Sequence, residues 1–474
     1  MSLPPELAGL AGLQGKAVAV LGAARSGIAA ANLLARAGAQ VLLSDRKPEA
    51  QLGEGLARLH PAVRLVTGRN DLTGAELVVV SPGIPPAAPL WQEIGASGLP
   101  VWGEIELGYR AARAPLVAIT GTDGKTTTTS LVGAVVEGAG RPSLVLGNIG
   151  RPLCDGVETV PPEGVLVVEV SCFQLLHTLA FRPRVAVLLN LAEDHLDYHG
   201  SFAAYVDAKL RVFARQGRGD TAVLSLDDPT IRAQVGRLPP AVSQVGFSSR
   251  GPAPGGVGLE EGWLVARQGG TEQPLFPRAA SPLLGAHNTE NLVAAAAAGL
   301  ALGIAPATVG RALTSFASLP HRLEPAGTLD GVAWINDSKA TSPHAALAGL
   351  QAMTRPVVLL AGGIDKGLGL EEWADAIVRK CHSVVLTGPL APRLAQALSA
   401  RTGAPTAVQV RHATTFAEAV GACQAAARPG DVVLLSPGCS SFDMFSCYEE
   451  RGETFKRLVQ ELGARLDGGD PVPR

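Results

Sequence analysis

The feature that narrows the fold most is a rhythm. Short β-rich apolar runs alternate with Ala/Leu-rich stretches of helical length almost from end to end. Consecutive strands joined through helices run parallel, so the pattern specifies α/β architecture built on parallel sheets. In a first block, strands are expected at 16–21 (KAVAVL), 40–44, 77–80 and 99–102, with a helix at 28–37 after a Gly-rich turn. A second block opens at 115–120 (PLVAIT) and continues with 144–146, 165–170 and 185–189. Residues 239–282 are rich in Gly, Pro and Ser, and read as antiparallel strands and loops; an Ala-rich helix comes after His287. A third block carries strands at 332–335, 356–360, 383–386 and 431–435. Boundaries near 103 and 318 divide the 474 residues into three expected domains, 1–103, 104–318 and 319–474, in line with about 150 residues per domain.

Composition removes several classes of function. Charged residues are 17% and the net charge is -2, which excludes a long basic nucleic-acid groove. The hydrophobic share of 47% excludes a mostly disordered chain. The six cysteines are scattered without a CxxC pair, so neither a zinc site nor a disulfide framework is indicated. There is no basic segment followed by an apolar one at the start, and the longest apolar run, 292–304, is too short to span a bilayer. The chain reads as cytoplasmic, soluble and monomeric. Of its 40 basic residues only eight are Lys. A Lys inside an apolar or Gly-rich motif is therefore informative.

Ligands of open parallel sheets bind beyond the carboxyl ends of the strands. The segments at those ends are polar in this chain. After 115–119 comes TGTDGKTTTT. The loop Gly121-Thr122-Asp123-Gly124-Lys125-Thr126-Thr127 joins a strand to a helix, so its N–H groups can cradle phosphates. Lys125 can reach terminal phosphates and Thr126 can ligate Mg²⁺. Ile119 stands where the usual spacing has Gly, making this a shortened variant; the bland reading is a plain Gly turn. Gly22-Ala23-Ala24-Arg25-Ser26-Gly27, with Asp45 after the next strand, approximates a dinucleotide fingerprint in which Ala24 takes a Gly position. A nucleotide of some kind is favoured there over an empty turn.

Glu169 lies in the apolar strand VLVVEVS, where a carboxylate is costly unless paired or bound to a cation. Glu193, Asp194, His195 and Asp197 come after the next strand. Lys209 falls in a helical stretch, 201–213. At about 100° per residue from Phe202, Lys209 sits at about 340°, between Tyr205 at about 300° and Phe213 at about 20°. It is either a snorkelling residue or a desolvated functional amine. Asn288 and Asn291 in HNTEN read equally as helix N-caps and as nucleotide contacts. In the third block, HRLE at 321–324, Asp337 to Thr341, Asp365-Lys366 and Ser440-Ser441 share one sheet edge, a setting for an acidic small molecule.

GTDGKTTTT, GNIG, EVSCFQL, NLAEDHLD, HNTEN, HRLE, NDSKAT, GGIDKG and SPGCSSFD occur in the order found in the Mur ligases, and the chain resembles that family from about residue 15 to about 460. GAARSG with Asp45, SPGIP, GEIEL and GGIDKG point within the family to addition of D-glutamate to UDP-N-acetylmuramoyl-L-alanine. The resemblance implies a Rossmann-like N-terminal domain for the UDP-sugar, a central ATPase domain and a Rossmann-like C-terminal domain. It also implies ATP and Mg²⁺ as cofactors and an acyl-phosphate intermediate.

Residue by residue, it assigns the loop 121–127, with Asn288, Asn291, Arg322 and Asp337, to ATP. Thr126, Glu169, His195 and a carbamylated Lys209 fall to the metal. Arg25, Ser26, Asp45, Arg46 and Gly83 fall to the UDP part, Asn148 and His195 to the muramoyl part. Lys339, Thr341, Lys366, Ser441 and Phe442 fall to D-glutamate. Asp123, Ser342 and Tyr448 depart from the family pattern, where Asn, Asn and Phe are usual. The rivals are a sister or folylpolyglutamate-type ligase, a nicotinamide-dependent oxidoreductase and an inactive nucleotide-binding module. The Asp-Asn-Pro-Arg of the diaminopimelate-adding relatives is absent.

Overall fold

A computed structural model describes residues 10–85, 87–148, 150–401 and 408–466. It has three sheets, one per expected block. The first is five-stranded and parallel, in the order Arg64–Thr67, Gln40–Asp45, Ala17–Leu21, Leu77–Val80, Val101–Gly103. Its central strand is fully apolar and buried because both faces are covered. The helix Arg25–Arg36 starts three residues before the expected 28, so Arg25 and Ser26 lie in its first turn.

The nine-stranded second sheet runs Thr271–Pro277, Trp263–Gln268, Val257–Glu260, Ser243–Ser248, Thr221–Ser225, Val185–Leu188, Leu116–Thr120, Val165–Glu169, Ser143–Gly147. The stretch 239–282 departs from its expected antiparallel form. Its first two strands, Ser243–Ser248 and Val257–Glu260, extend the sheet in parallel, and only the last two are antiparallel. The third sheet runs Glu324–Leu329, Val332–Asn336, Val432–Leu435, Val357–Gly362, Cys381–Thr387, Gln409–His412, parallel except for its first edge strand.

The described residues form two compact units, those up to 281 with 289–316, and 282–288 with those from 317 on. In the first unit one continuous apolar core runs beneath both sheets. The helix Glu104–Ala111 joins them, and both its acids are buried. Glu106 accepts the backbone N–H groups of Leu179, Ala180 and Phe181 and pairs with Arg110 at 2.7 Å. Glu104 accepts the N–H of Cys154 at 2.7 Å. Among the described residues no helix is long and apolar enough to cross a membrane.

Candidate active site

The central sheet places the phosphate loop. Strand Leu116–Thr120 runs between Val185–Leu188 and Val165–Glu169, with Ile119 in register with Glu169 and Thr120 with Leu188. Past its carboxyl end, Gly124 turns the chain into the helix Lys125–Gly138 at φ +77°. A Cβ on Gly124 would collide with Asn291 Oδ1, so space and backbone conformation both demand glycine. No side chain caps this helix, which leaves its first-turn N–H groups as anion donors.

The loop is held from three sides. Asn190 accepts the N–H of Asp123 through its side chain (2.8 Å) and that of Thr122 through its carbonyl (3.0 Å). The Tyr205 hydroxyl meets Thr122 Oγ1 at 3.0 Å. Asn291 Oδ1 accepts from buried Thr128 at 3.1 Å. Asn190, which opens the NLAEDHLD motif without having been given a role, and Tyr205 are thus braces of the loop. For Tyr205 the signal was available, since the helical wheel set it beside Lys209. Lys125 Nζ donates to the carbonyls of Thr122 (2.6 Å) and Gly121 (3.1 Å).

Lys209 is not a snorkelling residue. Its helix, Phe202–Leu210, is capped by Ser201 and keeps Lys209 2% exposed. Its Nζ donates to the Gly121 carbonyl at 2.7 Å and lies 4.7 Å from the Tyr205 ring centroid. Burial, with the Lys125 charge adding to it, pulls the amine down to about 7. Glu169 ends its strand 1% exposed. One carboxylate oxygen accepts from Asn148 Nδ2 at 2.8 Å, and the other is buried with no hydrogen-bond donor among the described residues. An orphaned anionic oxygen beside a phosphate loop suits a hard cation. As an ammonium Lys209 would repel such a cation, whereas a carbamate on it would offer two oxygens.

His195 has left-handed backbone at φ +51°, is about half exposed, and lies 3.4 Å from Asp194 and against the Phe173 ring. Among the described residues no three His, Cys, Asp or Glu side chains gather into a metal set.

At the first sheet, Asp45 accepts the N–H groups of Ala23 and Lys47, each at 2.8 Å, and so closes the Gly turn. Arg25 donates to the Gly150 carbonyl at 3.1 Å. Ala24, Arg25, Arg46 and Gly83 are exposed, and Ser26 is half-buried. Asn288 and Asn291 are not N-caps. Both lie inside the helix Ala286–Ala301, and Asn288 Nδ2 donates to the Leu284 carbonyl at 2.7 Å.

In the second unit, Lys366 donates to the Thr341 carbonyl at 3.0 Å, and Lys339 Nζ lies 5.3 Å from the Tyr448 ring centroid. Gly438 donates to Ala340, and Ile364 to Ser440, so the loops carrying Lys339, Thr341, Lys366 and Ser441 adjoin one another. Ser441 is buried, whereas Phe442 is 68% exposed. Asp365 receives Gly367 and Arg393, which hold its carboxyl below the usual carboxylate range. Asp337 is buried, accepts from Ser436 at 2.9 Å, and is pushed up to about 7 by burial. Arg322 sits between two residues of left-handed backbone, His321 (φ +63°) and Leu323 (φ +44°).

The chain matches three family descriptions: a Mur ligase MurD-like N-terminal domain at residues 16–103, a Mur ligase middle domain at 119–299, and a Mur ligase glutamate ligase domain at 321–439. It is 43% identical over 453 residues to the UDP-N-acetylmuramoylalanine--D-glutamate ligase of Desulfitobacterium hafniense (strain Y51), covering 94% of this chain and 98% of that one. The enzyme of the same name from Pelotomaculum thermopropionicum is 43% identical over 451 residues, with the same coverage. In fold it is similar to the UDP-N-acetylmuramate-alanine ligase of Thermotoga maritima (TM-score 0.58, 18% identity, 94% of this chain and 99% of that one). It is also similar to a MurF ligase of Thermotoga maritima in complex with ADP (TM-score 0.58, 17% identity, 97% and 100%).

Proposed function

The chain belongs to the Mur ligase family, and we infer that it joins D-glutamate to UDP-N-acetylmuramoyl-L-alanine in peptidoglycan precursor synthesis, at the expense of ATP. In this reading a substrate carboxylate oxygen attacks the γ-phosphorus of ATP, the β–γ bridging bond breaks, and ADP leaves. The D-glutamate amine then adds to the acyl-phosphate carbonyl. The tetrahedral intermediate expels phosphate, and the nitrogen gives up its proton as the amide forms.

The observation that carries this chemistry is the meeting at one loop of a helix N-terminus, Lys125 and the buried Lys209, with the buried Glu169 ending the neighbouring strand. Phosphoryl transfer asks little covalent chemistry of a protein and much positioning and charge stabilisation. Residues 121–127, braced by Asn291, hold the phosphates; Asn288, Arg322 and Asp337 are assigned to the nucleotide on the family resemblance alone. A Mg²⁺ ion would be held by Thr126, Glu169, His195 and a carbamylated Lys209, and when bound would neutralise phosphate charge. Arg25, Ser26, Asp45, Arg46 and Gly83 serve the UDP part, with Asn148 and His195 toward the muramoyl carboxylate. Lys339, Thr341, Lys366, Ser441 and Phe442 serve D-glutamate. A cytoplasmic location belongs to the same reading.

The test is phosphate release from ATP with UDP-N-acetylmuramoyl-L-alanine and a panel of amino acids. D-Glutamate is expected to support turnover far above the rest. Equal turnover with another amino acid overturns the reading.

A further inference from the structure

Arg451 lies on the helix Tyr448–Leu466 and is 3% exposed. Among the described residues no carboxylate stands within ion-pair distance of it; Asp443 acts on it only through space. The guanidinium instead donates to neutral acceptors. Nε meets Ser338 Oγ at 2.9 Å, Nη2 meets the Ser338 carbonyl at 2.8 Å, and both Nη atoms meet the Cys439 carbonyl at 3.3 Å. Ser338 Oγ in turn donates to the Tyr448 carbonyl at 2.8 Å.

A buried cation whose hydrogen bonds all go to neutral acceptors is an expensive way to fill a core, and burial pulls this guanidinium down to about 10. Its acceptors explain the expense. Ser338 precedes Lys339, and Cys439 precedes Ser440 and Ser441, so one planar fork spans the two loops that carry most of the amino-acid site. Five fixed donors can satisfy three acceptors at once, which an ammonium on a flexible stem cannot do.

We propose that Arg451 is a positioning residue for the amino-acid substrate: it fixes the distance between the Ser338–Lys339 segment and the Cys439–Ser441 segment without touching the substrate. The proposal rests on the D-glutamate site assigned above.

Steady-state kinetics of the full chain test it. Arg451→Gln is expected to raise KM for D-glutamate at least tenfold while KM for ATP and for the UDP-sugar stays within twofold. Arg451→Lys, which keeps the charge but not the fork, should recover part of the loss. Ser338→Ala removes the Nε acceptor and should raise the same KM about threefold; together with Arg451→Lys it decides the matter should Arg451→Gln not fold. An unchanged KM for D-glutamate, or parallel shifts in all three KM values, overturns the proposal. A wild type that does not take D-glutamate defeats the substrate reading instead, and Arg451 is then judged on KM for the amino acid that the panel identifies.

Discussion

The side-chain amines of Lys125 and Lys209 converge on one acceptor, the carbonyl of Gly121, at 3.1 and 2.7 Å. Two ammonium groups on one carbonyl repel each other, and one of the two is deeply buried. That one is Lys209, brought down to about 7 by burial first and by Lys125 second. On the proposed function the pair would divide the labour, with Lys125 as the cation for phosphate and Lys209 available as a neutral amine.

Removing the cation should cost catalysis directly. Lys125→Ala is expected to fall below a tenth of wild-type turnover, a loss of about 1.4 kcal/mol or more of transition-state stabilisation. Phosphate release at saturating ATP measures it. A variant that retains more than that fraction would show that the loop's N–H groups suffice and that Lys125 is no clamp.

Charge should also select the amino acid. Lys339 and Lys366 are two of only eight lysines, and both lie on adjoining loops of the third sheet. Asp365 does not cancel Lys366, being engaged by Gly367 and Arg393. Lys366→Ala is expected to raise KM for D-glutamate at least tenfold and to leave binding of the UDP-sugar unchanged, as read by calorimetry. Equal use of D-glutamate and D-alanine by the wild type would remove the basis for this expectation.

Glu104 should leave a mark on stability. Burial raises its carboxyl to about 7 from 4.5. Between those values the folded state keeps a proton that the unfolded chain has released, so stability falls as pH rises from about 4.5 to about 7 and then levels. At about 1.4 kcal/mol per pK unit the contribution is at most roughly 3.5 kcal/mol. Glu104→Gln, which still accepts from Cys154, should match the wild type in urea at pH 5 and exceed it at pH 8. Asp337 shifts in the same direction but is common to both proteins, so it cancels. An identical difference at both pH values would contradict the assignment.

Periodicity made the sheets legible, and strand ends made most of the candidate site legible. Arg64–Thr67, Glu324–Leu329 and Gln409–His412 escape the pattern because each is an edge strand with a single neighbour and no continuous apolar run. Thr221–Ser225 is buried but short, closed on both sides by polar turns. Helical phase alone put Lys209 on the apolar face, yet it could not tell a buried amine from a snorkelling one, because the deciding carbonyl belongs to Gly121 on another element. Arg451 is hidden for the same reason. Its partners are backbone atoms of Ser338 and Cys439 and a serine hydroxyl, and no spacing along the chain announces them. The asparagines of HNTEN misled as caps because the helix begins at Ala286, ahead of both.

A neutral amine at Lys209 can add CO₂: the nitrogen lone pair forms the C–N bond, one N–H proton leaves, and a carbamate anion with two oxygens results. Such a group would turn a cationic side chain into a hard oxygen ligand, of the kind a divalent cation takes. Arginine could serve a structural cationic role here but cannot be carbamylated, which gives a reason for Lys in an Arg-rich chain. The expected outcome has two parts. Labelled bicarbonate should yield a carbamate carbon signal that is absent in Lys209→Ala. Activity of Lys209→Ala should recover in part with added short carboxylates, while Lys209→Arg stays inactive. Absence of the carbon signal together with an active Lys209→Arg would reduce Lys209 to a buried donor for the Gly121 carbonyl, a brace for the phosphate loop with no part in holding the metal.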